Sequence, residues 1–313
     1  MKRGKIIVIG STNMDMVVKT SHIPVPGETV LGGSFFMNPG GKGANQAVAV
    51  ARLGGAATFI TKVGNDIFGK QSTQLFDEEG VDTVGLLSDN KNPSGVALIT
   101  VDAFGENSIV VASGANANLT PTDVERVIGK VFTNAEIMLV QLEIPMETVK
   151  FAVEYAAAQG IKVILNPAPA NTLVSELFRY IDIITPNTNE AEMLTGIAVT
   201  DMLTAKQAAE SLHEQGVKNV VITLGKMGAG LLQGGKFYAV PAPIVEAVDT
   251  TAAGDVFNGA LAVAIAEGKE LVNAVYFACQ ASSMTVTRMG AQSSIPYRNE
   301  LILQSFPSLV PIN

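Results

Sequence analysis

A doubly wound α/β fold, with a mostly parallel central sheet, helices on both faces and a small antiparallel β-sheet lid, is the architecture this sequence predicts. Short β-branched runs recur along the chain and are apolar on both faces, as strands covered by helices on each side must be. Stretches of helical periodicity alternate with those runs, the rhythm that winds a parallel sheet. Two segments break the rhythm, carrying strand-like runs and glycine-containing turns with no helix between them.

The first run is "KIIVIG" (5–10). Basic residues precede it, but the run is short, no small-residue cleavage site follows and Asp15 arrives at once, so it reads as a strand and not as a secretory leader. "MVVKTSHIPVPGETVLGGSFF" (16–36) is the first irregular segment, punctuated by Pro-Gly and Gly-Gly turns. A helix over 44–53, a strand over "ATFITKVG" (57–64) and a helix over 66–79 restore the alternation. "SGVALITVDAFGENSIVVASG" (94–114) is the second irregular segment, with a Gly-Glu-Asn turn.

Next come strand "EIMLVQLE" (136–143), helix 146–159, strands "IKVILNPAP" (161–169) and "IDIITPN" (181–187), and helices 189–195 and 204–215. Strand "NVVITLG" (219–225) and helix 254–267 complete the pattern. Because the irregular segments are inserted between elements of the main domain, they are expected to meet as one discontinuous lid. The expected division is 13–36 and 94–114 for the lid, and 1–12, 37–93 and 115–313 for the α/β domain. An apolar outer lid face predicts a homodimer through that surface.

With 313 residues and 47% apolar composition, the chain can bury a large core. Its formal charge of −8, with 21 Lys and Arg spread without a run, excludes the basic face that a nucleic-acid partner needs. No apolar stretch approaches the ~18 residues of a membrane span. The single cysteine, Cys279, rules out an internal disulfide or a thiolate metal cluster, and a cytoplasmic location is expected. His22 and His213 lack metal spacing, which argues against a histidine–metal site or a Ser-His-Asp triad.

Ligands of open parallel sheets sit beyond the carboxyl ends of the strands. There the sequence places Asn13 and Asp15, then Glu143, Asn166, Asn187, and Thr223 to Gly225. In "STNMDM" (11–16), an Asp/Asn pair suits recognition of neighbouring hydroxyls, although such residues also cap turns of their own backbone. "PGGKGANQA" (39–47) surrounds Lys42 with glycines before a helix, as a phosphate loop or plain loop geometry would. It is not a Walker A motif, since Gly43 follows the lysine, nor a dinucleotide fingerprint, since Gln46 takes the last glycine position. "TLGKMGAG" (223–230) is either a glycine-rich crossing near a nucleotide or a turn between strands.

In "VDTTAAGDVFNGAL" (248–261), small residues precede Asp255 where the chain turns into a helix. The free N–H groups of a helix start attract anions, and an acid there either favours the macrodipole or works on a bound anion.

Together, "STNMD", "PGGKGANQA", "QLEIP", "NPAPA", "TPNTNEAE", "ITLGKMG", "VDTTAAGDVFNGAL" and "TRMGAQSSIP" resemble, in order and over residues 5 to about 297, the ribokinase-like (phosphofructokinase-B) family of sugar kinases. The resemblance implies ATP-dependent phosphorylation of the 5-hydroxyl of D-ribose, or of deoxyribose or another pentose. Asp255 would be the general base, and the backbone of Ala252, Ala253 and Gly254 would hold the transferring phosphoryl. The positive helix end should keep Asp255 ionised and a weak base.

The sugar site it implies is Asn13, Asp15, Gly41, Lys42, Gly43, Asn45 and Glu143, with Asp15 on two vicinal hydroxyls. Asn187, Glu190, Thr223, Gly225, Gly228, Gly254 and Cys279 fall on the nucleotide side, with Asn187 and Glu190 in the Mg²⁺ and phosphate region of MgATP. Relatives commonly carry Asn or His where this chain has Cys279, so a polar contact to the base gives way to packing. A monovalent cation, K⁺, is implied at Asp249, Thr251, Thr285, Arg288, Gly290 and Ser294. A catalytically silent sugar sensor is the competing class, and the intact Asp255 and anion turn argue against it.

Overall fold

The computed structural model describes residues 4–171 and 175–301. In chain order the strands and helices are β1 (Lys5–Ile9), β2 (Asn13–Lys19), β3 (Ser34–Gly40), α1 (Lys42–Arg52), β4 (Ala56–Gly64) and α2 (Ile67–Glu78). They continue with β5 (Asp82–Asp89), β6 (Gly95–Val101), β7 (Asn107–Ala112), α3 (Pro121–Val131), β8 (Ala135–Val140), α4 (Met146–Ala158) and β9 (Lys162–Leu165). Then follow α5 (Ser175–Phe178), β10 (Ile183–Ile184), α6 (Thr188–Thr195), α7 (Met202–Glu214) and β11 (Asn219–Thr223). The last are β12 (Ala229–Gln233), β13 (Lys236–Val240), α8 (Ala253–Ala266) and α9 (Leu271–Thr285).

Among the described residues these strands form two sheets. The large one has the order β13-β12-β11-β10-β9-β8-β1-β4-β5, parallel from β11 to β5 and antiparallel at β12 and β13. The chain leaves β1 in one direction to β4 and β5 and later in the other to β8, so the switch point where ligands collect lies at β1 and β8. Side chains alternate across the sheet. Ile6, Val8, Ile137 and Leu139 pack with α1, α8 and α9, whereas Ile7, Ile9, Met138 and Val140 pack with α3, α4 and α7. Truncating a buried residue such as Leu139 to Ala is expected to cost ~2–5 kcal/mol.

The small sheet has the order β3-β2-β6-β7. Each inserted segment folds as an antiparallel pair, but the two pairs join through β2 and β6 in parallel, because both strands leave the large sheet in the same direction. Its centre is therefore parallel, where an all-antiparallel sheet is expected from the turns alone. Asn13 and Asp15 share one face with their partners Gly40 and Asn38. Met37, Leu98 and Val110, 47%, 52% and 64% exposed, lie on the other. Beyond the sequence-derived elements, the structure adds β5, the β12–β13 hairpin, α3, α5 and α9. The strand stretches also end sooner than their apolar runs suggest: β8 stops at Val140, β9 at Leu165 and β10 at Ile184, each just before a polar residue, Gln141, Asn166 and Thr185, of which the last two line the cleft. Among the described residues no helix is long and apolar enough to cross a membrane.

Candidate active site

Three chain segments converge at the carboxyl ends of β1 and β8. The first is the start of α1. Gly41, at φ 90°, brings the chain off β3 into a helix whose opening residues lie against the end of β1. A Cβ on Gly43 would sit 2.5 Å from Gly10 C, so only glycine allows that approach. Ala44 N–H donates to Ser11 O (2.9 Å). Glu143 Oε2 accepts from Ser11 Oγ (2.5 Å) and Lys42 N–H (3.1 Å), so this acid also caps the positive end of α1.

The second segment is the start of α8. Ala252 precedes it at φ 60°, a left-handed conformation that costs a non-glycine residue and that clusters at functional turns. Ala253 N–H closes the turn on Thr250 O (3.2 Å), and the remaining first-turn N–H groups have no intrahelical acceptor. Asp255 stands in this first turn, 7% exposed. Its Oδ2 accepts from Asn45 Nδ2 (2.9 Å) and its Oδ1 from Gln46 Nε2 (3.1 Å). Asn45 Oδ1 is buried and without a partner among the described residues.

The third segment is β2, which carries Asp15 into the same space. A Cβ on Gly40 would run into the Asp15 carboxylate, so this glycine makes room for it. Asn13 is buried, and its Oδ1 accepts from Asn116 Nδ2 (2.8 Å).

Crowding sets the electrostatics. Burial first, and then the negative charges of Glu143 and Asp255, push the Asp15 pKa up to about 7, against the pull of Lys42. Burial also raises Asp255, opposed by Lys42 and by the hydrogen bonds from Asn45 and Gln46. Burial therefore works against the helix end, which the sequence predicts to favour the ionised carboxylate. Glu190 is raised too, mainly by burial. For Lys42 burial works against the ammonium, yet Asp255, Glu143, Glu190 and Asp15 outweigh it and hold its pKa above that of an ordinary lysine.

A cleft of about 200 Å³ opens over the α8 turn, bringing together Lys42, Asn187, Glu190, Thr223, Ala252, Ala253, Gly254 and Asp255. Asn187 and Glu190 form a reciprocal capping box at the start of α6, Glu190 N–H to Asn187 Oδ1 (2.8 Å) and Asn187 N–H to Glu190 Oε2 (2.9 Å). Asn187 also bridges to Thr223 across the sheet. Gly225 and Gly228 sit in the following turn, where Leu224 N–H donates to Gly228 O (2.8 Å). Cys279 lies apart from the cleft lining, in the core on α9, where burial pushes its thiol up to about 12 and it packs as a neutral apolar group.

The six residues at which the sequence leads one to expect a cation are drawn from two loops and the end of α9. Asp249 Oδ1 accepts from Thr251 Oγ1 (2.6 Å) and Thr251 N–H (2.9 Å), and its Oδ2 from Gly290 N–H (2.8 Å). Burial disfavours the Asp249 carboxylate, but these bonds win and hold its pKa below the usual range. Thr285 O takes Arg288 N–H (3.1 Å), Ser294 Oγ donates to Ala291 O (2.7 Å), and the Arg288 guanidinium pairs with Glu300 (2.8 Å). Carboxylate, hydroxyl and carbonyl oxygens form the donor set, which fits a hard cation; the Arg288 side chain is committed elsewhere and only its backbone remains to serve one.

Sequence reasoning passed over several cleft residues. Thr185, Thr250 and Asn258 line it alongside Asn166. Asn258 was legible as the polar residue three positions after Asp255 in an otherwise apolar helix, on the same face. Asn116, far away in the chain, carried no such signal.

The model for the pfkB family carbohydrate kinases matches residues 3–298. A ribokinase of Haemophilus influenzae is 43% identical over 300 residues, covering 96% of this chain and 98% of that protein. A crystal structure of ribokinase from Thermotoga maritima aligns with a TM-score of 0.86 at 41% identity, over 96% of this chain and 98% of the other. The structure of Arabidopsis thaliana ribokinase complexed with ribose and ATP aligns with a TM-score of 0.87 at 34% identity, over 96% and 97%.

Proposed function

The chain belongs to the pfkB family of carbohydrate kinases, and from that premise we propose that it transfers the γ-phosphoryl of ATP to the 5-hydroxyl of D-ribose, giving D-ribose 5-phosphate. The observation that carries the reading is the convergence on one cleft of a buried acid, Asp255, with an unpaired helix start and a lysine among carboxylates.

Asp15, Asn13, Asn45, Lys42 and Glu143, with the Gly41–Gly43 backbone, hold the sugar. Asp15 accepts from two vicinal hydroxyls, and the orphaned Asn45 Oδ1 accepts from another. Asp255 takes the proton of the attacking hydroxyl, and its raised proton affinity suits that task. The Ala252–Gly254 turn receives the migrating phosphoryl on its free N–H groups, in line with the nucleophile. Thr223, Gly225 and Gly228 flank the nucleotide.

Glu190 and Asn187 would hold Mg²⁺ beside the phosphates, where it would supply charge neutralisation, and a carboxylate at the edge of an open cleft is a donor such an ion takes. The oxygens of Asp249, Thr251, Thr285, Arg288, Gly290 and Ser294 would hold K⁺, which would supply a fixed charge that braces the anion turn without touching substrate. The small sheet closes over the sugar, and its outer face joins two copies.

ADP release with MgATP and a panel of sugars tests this. Ribose is expected to lead, with 2-deoxyribose poorer in kcat/KM by roughly ten- to a hundred-and-fifty-fold for the lost Asp15 bond. Asp255→Asn is expected to lower kcat by about 10²–10⁴ while sugar still binds. Equal use of both sugars removes the Asp15 role, and a fully active Asp255→Asn removes the base.

A further inference from the structure

Gln46 fills the position at which "GKGANQ" fails to be a dinucleotide fingerprint, and the structure buries it completely. Its Nε2 spends one hydrogen on Asp255 Oδ1 (3.1 Å) and the other on Asn166 Oδ1 (3.1 Å), while its Oε1 accepts from Gln141 Nε2 (2.6 Å). Gln141, just past β8, is also fully buried, in room that Gly10 leaves, since a Cβ there would strike Gln141 Oε1. The polarity of this chain of amides has one solution. A carboxylate only accepts, so Gln46 must turn its nitrogen to Asp255, its oxygen then faces Gln141, and Gln141 must donate.

The network continues beyond the base. Asn166 Nδ2 reaches Thr185 O (3.4 Å), Thr185 Oγ1 donates to Asn258 Oδ1 (2.7 Å), and Asn258 Nδ2 donates to Gly254 O (2.8 Å) in the anion turn. A ring of buried amides thus ties the acid and the turn to the strand ends β8, β9 and β10.

We propose that Gln46, held in polarity by Gln141, is a positioning residue for Asp255 that fixes the plane of its carboxylate and stabilises its ionised form in the ground state. The inference rests on the kinase reading of the site. Groups facing Asp255 from the surrounding elements are Lys42 and Asn45 on α1, Glu143 after β8, Asp15 on β2 and Glu190 on α6. Gln46 is the hydrogen-bonded link from the end of β8 to the base, beside the direct charge of Glu143.

The test is the pH profile of kcat at saturating ribose and MgATP, where bound hydroxyls hold Asp15 ionised and the acid limb reports Asp255. Gln46→Met removes the donor, so the limb is expected to move to higher pH by about one to two units, with kcat at neutral pH down roughly ten- to a hundredfold. Gln141→Met, which does not touch Asp255, is expected to move the limb the same way by less, and it serves where Gln46→Met fails to fold. Gln46→Glu keeps the shape but sets an acid against an acid, so its acid limb is also expected to move to higher pH. An acid limb unmoved in a folded, ribose-binding Gln46→Met overturns the proposal, and an unmoved limb in Gln141→Met overturns the part given to Gln141. A wild-type protein that releases no ADP with any sugar overturns the kinase reading and the relay with it, an outcome distinct from an active wild type beside unshifted variants.

Discussion

Asn116 donates its side-chain amide to Asn13 Oδ1 at 2.8 Å, in a contact from which solvent is excluded. The same amide reaches Thr12 O (3.0 Å), and Asn116 Oδ1 takes Thr12 N–H (2.9 Å). A residue of the 3-10 turn Gly114–Asn118, at the exit of the small sheet, therefore clamps the point where the chain enters that sheet. With Asn13 Oδ1 occupied, its Nδ2 is left to donate to the sugar in the proposed site.

Asn116→Asp keeps the size and the acceptor for Thr12 but sets a carboxylate oxygen against Asn13 Oδ1. The ribose KM is expected to rise roughly tenfold to a hundredfold with kcat changed far less, because the lost orientation acts on binding. Steady-state kinetics over ribose and ATP check this: an equal fall in kcat, or a matching rise in the KM for ATP, points to general damage.

Asp15 supplies a pH dependence. Its proton affinity is raised from 3.8 to about 7 in the folded chain, so the folded state binds the extra proton between those values and this group's contribution to stability declines as pH rises through that window. Sugar hydroxyls donate to the ionised form, so ribose binding at pH 7 is expected to release about half a proton, and affinity to weaken as pH falls below 7. Calorimetric titration in two buffers of different ionisation enthalpy measures the release, which Asp15→Asn is expected to remove.

If the oxygen-lined loop at Asp249 holds the proposed monovalent cation, activity depends on that cation. Exchange of K⁺ for choline, at constant ionic strength, is expected to reduce kcat several-fold while ribose binding persists, because the loop braces the turn before α8 and not the sugar site. Asp249→Asn is expected to blunt the response. Indifference of the wild-type enzyme to the exchange counts against the site.

The outer face of the small sheet carries Met37, Leu98 and Val110 opposite Asp15, with Phe35 beside them, 60% exposed. A homodimer through this face is expected to bury them, and Leu98→Asp to shift the protein towards monomer in sedimentation velocity. A monomeric wild type at micromolar concentration removes the proposal.

Local pattern decided much of this molecule. Apolar runs such as "KIIVIG" and "NVVITLG" are strands wherever they are placed in a helix-covered sheet, and polar residues that end them, Asn13, Glu143 and Asn166, are obliged to lie at its carboxyl edge. The small residues before Asp255 likewise forecast a tight turn into a helix. The added elements β5 and α9 were less legible: "DTVGLLSD" interrupts its apolar run with Gly and Thr, and α9 is apolar nearly all round, so neither shows a clear period.

What only the tertiary structure decided is which distant groups share one space. Gln46 and Asp255 are 209 positions apart, and Asn116 and Asn13 are 103 apart, and no periodicity spans such distances. The direction of the Asp255 shift belongs to the same class, because burial and neighbouring charge are sums over everything packed around a carboxylate. Spacing in a sequence encodes the faces of an element, whereas partners and dielectric arise only once the faces are packed together.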